Sequence, residues 1–219
     1  YLDLAKIQST DASNRIEGIF TSDQRLRSLV QDKVEPRNRN ESEIAGYRDV
    51  LELINTHGQD IKLTSSVILQ LHRDLFRYTG VSCGGKYKSA DNVIEERDGW
   101  GNRIIRFKPM AAFETPEGVE QICKVCETAI RDGSVDPLLI IPMFILDFLC
   151  IHPFNDGNGR ISRILTLLLL YQNGFQIGKY VSLEKEIERT KETYYDALRE
   201  SSQDWHQGSS DYEPFVEYT

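Results

Sequence analysis

Apolar residues recur at three- and four-residue spacing along most of the chain, which predicts helices. Glu41–Thr56 sets Ile44, Tyr47, Val50, Leu51 and Ile54 on one stripe. Thr64 reads as the N-cap of a helix reaching about Tyr78, with Val67, Ile68, Leu71 and Leu75 inward. Thr115-Pro116 and Asp136-Pro137 each read as a cap followed by proline, and Gly133 closes the first of these helices. The segment after Pro137, LLIIPMFILDFLCI, is apolar nearly all round. It predicts a central core helix that Pro142 kinks or restarts. Further helices are expected from Gly159 to about Gln172, with Gly174 as the stop, and from about Ser182 to Ser202. One stretch departs from this period: Asn92–Ile94 and Arg103–Phe107 read as short strands around the turn-rich EERDGWGN. The expected class is all-α, a helical bundle with one small β-hairpin.

At 219 residues the chain is long enough for one substantial core. It begins at Tyr1 rather than Met, and Tyr212–Thr219 reads as the opening turns of another helix, so a longer parent sequence is expected. The net charge of −8 argues against nucleic acid as the main ligand, although a local anion site stays open. Of Cys83, Cys123, Cys126 and Cys150, two sit three apart in a helical pattern with no second pair or His-rich segment following. Reduced intracellular thiols fit that arrangement better than zinc. The longest apolar run, Leu138–Ile151, is too short to span a bilayer and contains Asp147; no signal peptide is visible. A cytoplasmic protein without a membrane partner is expected.

The chemistry concentrates in His152-Pro-Phe-Asn-Asp-Gly-Asn-Gly-Arg160, between two strongly apolar helices. Asp156-Gly157-Asn158-Gly159 is rich in residues that tolerate positive φ, so its N–H groups can curl toward one concavity. The loop opens a helix, whose N-terminal dipole favours negative charge there. Arg160 and Arg163 follow at i,i+3 and are expected to share a helix face. Asp156 beside a phosphate nest suits Mg²⁺. His152 is the candidate base, since an ordinary imidazole (pKa about 6.5) accepts a hydroxyl proton near neutral pH. Base, metal carboxylate, anion nest and guanidiniums together suit in-line displacement at phosphorus. There is no Gly-Lys-Ser/Thr, so this is not a Walker loop.

His152 to Arg163 resembles the Fic signature, His-Pro-Phe-x-Asp/Glu-Gly-Asn-Gly-Arg-x-x-Arg, at every defined position. The resemblance implies a Fic-type helical bundle with a hairpin flap and a protein adenylyltransferase that moves AMP from ATP to a Ser, Thr or Tyr hydroxyl. His152 would deprotonate the hydroxyl, Asp156 would hold Mg²⁺, and Gly157, Asn158 and Gly159 would form the anion hole. Arg160 and Arg163 would neutralise the β- and γ-phosphates, and Phe154 would anchor the loop. The family's Doc-like phosphotransferase branch has Lys where Gly159 stands, which favours AMP transfer here.

Ser13-Asn-Arg-Ile-Glu17-Gly18 resembles the family's inhibitory motif, placed as in its N-terminally inhibited class. Glu17 would take Arg163 from the γ-phosphate. The domains implied are an N-terminal segment 1–40 with the inhibitory helix, and a catalytic core over 41–219. Gly85-Lys86-Tyr87-Lys88 and the hairpin resemble the target-docking flap, with Val93, Ile94, Ile104 and Ile105 offering a strand edge; the family more often has Arg at Lys88. Tyr194-Tyr195 resembles a pair lining the adenine pocket, whereas His72 reads as structural. The implied partners are a target protein, the chain itself included, with a homodimer open. Nucleic acid would enter only through a missing C-terminal winged-helix domain, which would make the chain the sensor half of a regulator. A phosphodiesterase removing AMP is the other enzymatic reading.

Overall fold

Five helices of this chain begin where a polar side chain satisfies a free backbone N–H. The computed structural model describes residues 2–82, 84–97 and 99–219, so Cys83 and Asp98 lie outside it. In chain order it runs α1 (Leu2–Ile16), α2 (Asp23–Val30), α3 (Arg39–His57), α4 (Ser65–Leu75), β1 (Ile94–Arg97), β2 (Arg103–Phe107), α5 (Thr115–Asp132), α6 (Pro137–Ile151), α7 (Asn158–Gln172), α8 (Leu183–Arg189), α9 (Lys191–Ser201) and α10 (Glu213–Tyr218). The class is all-α with one antiparallel hairpin among the described residues. Thr64 caps α4 by accepting from the Val67 N–H at 3.2 Å, and Asp136 caps α6 through the Leu138 N–H at 2.8 Å.

Three expectations are corrected. Thr115 is not a cap: the cap position is Glu114, and Thr115 Oγ1 donates back to Ala111 O at 3.0 Å. Pro142 lies inside α6 as expected, and the helix runs on through it from Pro137 to Ile151. An interior proline costs about 3 kcal/mol, whereas each buried neighbour such as Ile141, Ile145, Phe144 or Phe148 returns roughly 1.5–3 kcal/mol. The helix expected from Ser182 to Ser202 breaks at Thr190, whose N–H and Oγ1 both bond Glu186 O. The first strand is Ile94–Arg97, so Glu95 and Glu96 pair with Ile105 and Ile104 instead of lying in the turn.

The chain divides into two compact units, 1–86 with 159–191 and 87–158 with 192–219. In the first, α1 packs on α3 and α8, and Leu26, Leu29 and Val30 of α2 join Ile44 in one apolar cluster. A Cβ at Gly46 would collide with Leu75 O, so glycine permits the close α3–α4 approach. His72 is buried, accepts the Gly85 N–H on Nδ1 at 2.9 Å and packs on Phe76, a structural role. In the second unit α6 packs on α5 and α10. Asp147, the one carboxylate of α6, accepts from Trp205 Nε1 at 2.8 Å and Tyr212 Oη at 2.7 Å. Cys123, Cys126 and Cys150 are buried and unbridged, and burial pushes the Cys123 and Cys126 thiols up to about 12. No described helix is long and apolar enough to cross a membrane.

Candidate functional site

The last turn of α6 ends on His152, whose φ of 49° is unusual for a residue with a side chain. Its N–H donates to Phe148 O at 2.9 Å, and Nδ1 lies 3.3 Å from Leu149 O. A carbonyl only accepts, so this contact puts the proton on Nδ1 and the basic lone pair on Nε2. The ring is half-buried. Phe154 is fully buried and packs against Tyr87 and Phe148, with ring centroids 5.9 and 6.4 Å away. The Asn158 side chain accepts from the Phe154 N–H at 2.9 Å and donates to Phe154 O at 2.8 Å, which staples the loop shut. Gly157 has φ 85°, and Asp156 is exposed on the loop.

The first turn of α7 continues the same stretch of chain. Arg163 is nearly buried. Its Nε donates to Ser13 Oγ at 2.8 Å, and its Nη2 to Ser13 O at 3.0 Å and Glu17 Oε1 at 2.7 Å. Glu17 sits there because of how α1 ends. Ile19 N–H bonds Asn14 O and Gly18 N–H bonds Arg15 O, a Schellman closure that needs Gly18 at φ 75°. A carboxylate at a helix C-terminus opposes the dipole, and Lys191 offsets this by donating to Ile16 O at 2.8 Å. Burial raises the Glu17 carboxyl, but Arg163, with help from Arg160 and Lys191, outweighs it and holds it below its ordinary value.

The carboxylate also fills the space over Gly159, where a Cβ would collide with Glu17 Oε1. An anionic group thus already occupies the start of α7. This fits a nucleotide phosphate at that position, because carboxylate and phosphate oxygens use the same donors. For Mg²⁺, Asp156 supplies one exposed carboxylate, and no cluster of three potential ligands exists among the described residues. Mg²⁺ is usually held by one or two carboxylates plus phosphate oxygens, so a single aspartate suits it.

Arg160 departs from expectation. It is fully buried, forms an ion pair with Glu43 at 2.7 Å and lies over the Phe76 ring at 5.2 Å. A guanidinium with no exposed surface cannot touch a phosphate in this conformation. Tyr194 likewise packs as core against Phe215 and Tyr218, with centroids 5.9 and 5.5 Å away, whereas Tyr195 is half-buried, with the Arg106 guanidinium 5.9 Å from its ring. On the hairpin Val93, Ile104 and Ile105 are exposed and Ile94 is half-buried; Val93 precedes β1. Sequence reasoning missed Glu43, Asn92 and Lys191. The available signal was Glu43 itself, an acid beside the buried stripe of α3, since a buried carboxylate needs a cationic partner.

An all-α domain with an anion-accepting loop–helix junction and one hairpin is the class defined by these features. Residues 62–170 match the model of the Fic/DOC family, and the chain belongs to that family. It is 28% identical over 141 residues to a probable protein adenylyltransferase of Aquifex aeolicus, covering 64% of this chain and 38% of that protein. To a protein adenylyltransferase Fic of Culex quinquefasciatus it is 27% identical over 221 residues, covering 98% of this chain and 39% of that one. The chain therefore spans under two-fifths of either relative. A Fic domain containing signaling protein from Bacteroides thetaiotaomicron shares the fold, with a TM-score of 0.78 at 23% identity over 99% of this chain and 82% of that one.

Proposed function

We propose that the protein transfers AMP from ATP to a hydroxyl of a protein, and that Glu17 restrains this activity. The carboxylate of Glu17, gripped by Arg163 over Gly159, carries the reading. It holds the guanidinium that the γ-phosphate would need and sets negative charge in its place. The complete loop from His152 to Arg163, Gly159 in place of the Doc-like lysine, and the names of the relatives support adenylyl transfer.

In this reading His152 Nε2 takes the proton of the acceptor hydroxyl as its oxygen bonds the α-phosphorus. The bond from that phosphorus to the bridging oxygen breaks, pyrophosphate leaves, and AMP remains on the acceptor. Asp156 would hold Mg²⁺, which neutralises phosphate charge when bound. The N–H groups of Gly157, Asn158 and Gly159 would orient the α- and β-phosphates. Arg163 would take the γ-phosphate once Glu17 leaves. Arg160 acts from the interior, fixing α7 to Glu43.

Incubation with α-labelled ATP and Mg²⁺, with and without lysate protein, tests the proposal. Glu17→Gly should label protein at least tenfold more than the wild type, and Glu17→Gly with His152→Ala should drop to background, since a base contributes roughly 10²–10⁴-fold. Equal labelling by wild type and Glu17→Gly would remove the restraint; absence of labelling by both would remove adenylyl transfer. AMP-modified protein offered to the same variants tests the reverse reaction.

A further inference from the structure

α6 stops with its last carbonyls aimed at the loop that bears His152, and each of these must find a donor. Each of them has one within 3.3 Å. Phe148 O accepts the His152 N–H at 2.9 Å, Leu149 O faces His152 Nδ1 at 3.3 Å, and Cys150 O accepts the Met110 N–H at 3.2 Å. Ile151 O accepts Lys88 Nζ at 3.0 Å. His152 O accepts Asn92 Nδ2 at 3.3 Å, and Pro153 O accepts the Lys88 N–H at 2.9 Å. Phe154 O is shared by Asn92 Nδ2 at 3.3 Å and Asn158 Nδ2 at 2.8 Å. Two residues, Lys88 and Asn92, therefore hold four consecutive carbonyls, Ile151 to Phe154.

They also hold each other, with Lys88 Nζ donating to Asn92 Oδ1 at 2.8 Å. Lys88 is 3% exposed, an uncommon position for a lysine. Its ammonium lies at the negative end of the α6 dipole, which favours a cation there. The backbone it grips includes His152 at φ 49°, a conformation that persists only when its surroundings over-determine it.

We propose that Lys88 and Asn92 are positioning residues for the candidate base: they fix the backbone from Ile151 to Phe154 and thereby aim His152. The inference rests on the adenylyl-transfer reading for its activity readout, but the backbone hold can be measured without it. A mis-aimed base slows the chemical step and leaves nucleotide binding intact, because neither side chain is assigned to the nucleotide.

The test uses Glu17→Gly as the background, adding Lys88→Met, Lys88→Arg or Asn92→Ala. Lys88→Met keeps the buried stem and removes the donors. It should lower kcat roughly 10–100-fold, the scale for a small misplacement of a reacting group, and leave the KM for ATP within about twofold. Lys88→Arg, which restores a cationic donor, should recover most of the rate. Combining Lys88→Met with Asn92→Ala should cost little more than the worse single change, since both act through one loop. Independently of turnover, hydrogen exchange of the Leu149–Asn158 amides should quicken in Lys88→Met and Asn92→Ala, with α3 exchange unchanged. Unchanged loop exchange in a folded Lys88→Met would overturn the proposal, and so would a rise in KM with kcat intact. If the Glu17→Gly background transferred no AMP, the functional reading would fall while the exchange result still judged the hold.

Discussion

Gly159 has no side chain, and the carboxylate of Glu17 uses the space this leaves. Its φ is not among the positive values, so alanine is conformationally acceptable there. Only the flexible ends of Glu17 and Arg163 oppose a methyl group, with Arg163 Nη1 3.2 Å from its position. Gly159→Ala should therefore loosen the Glu17–Arg163 pair and lower the thermal midpoint of the otherwise native chain. In the Glu17→Gly background the collision with the carboxylate is gone. There the better helix propensity of alanine, up to about 1 kcal/mol, should leave the midpoint level or higher. The same drop in both backgrounds would show that the space over Gly159 is not reserved for the carboxylate. At this scale much of the site could be read in advance, because a base, a flexible turn and guanidiniums are chemical types at fixed spacing. Arg160 could not, because its partner Glu43 lies 117 positions away and only folding brings them together.

The end of α1 sets where Glu17 can reach, and its charge decides how firmly it stays. The Glu17 carboxyl is held below its ordinary value, with Arg163 overriding the opposing effect of burial. A carboxyl with a depressed folded-state pKa stabilises the fold fully above its unfolded value, near 4.5, and loses that contribution as pH falls through the folded value. Thermal unfolding of the wild type and Glu17→Gln from pH 7 to pH 3 should show a constant gap down to about pH 5 and a closing gap below it. A gap independent of pH would mean that Glu17 contributes through packing rather than charge. Most long helices were legible because their apolar stripes are strong, as in α3 and α4. The helical nature of α1 could not be read from periodicity, since its buried face is Ala5, Ser9, Thr10, Ala12, Ser13, Asn14 and Ile16, mostly small or polar. The break at Thr190 was hidden for another reason: a threonine bonding back to Glu186 O looks, in sequence, like any helical residue.

At the scale of the molecule, each compact unit is assembled from two separated stretches of chain, and one division falls between Asn158 and Gly159. Chain order therefore does not define the compact parts. The second unit gathers α6, most of α9 and α10, with Phe215 of α10 1% exposed against Tyr194. Phe215 also receives support from its backbone, whose N–H donates to Ser201 Oγ at 3.1 Å. Phe215→Ala should cost about 3–5 kcal/mol, the range for emptying a buried aromatic site, measured by urea unfolding. Its local signature matters more than its size. If the units are energetically distinct, hydrogen exchange under native conditions should quicken in α6 and α9 by a larger factor than in α1 and α3. Sub-global openings follow such cooperative parts when they exist. A uniform acceleration across all four helices would mean that the chain opens only as a whole, and the division would then describe geometry without energetic content.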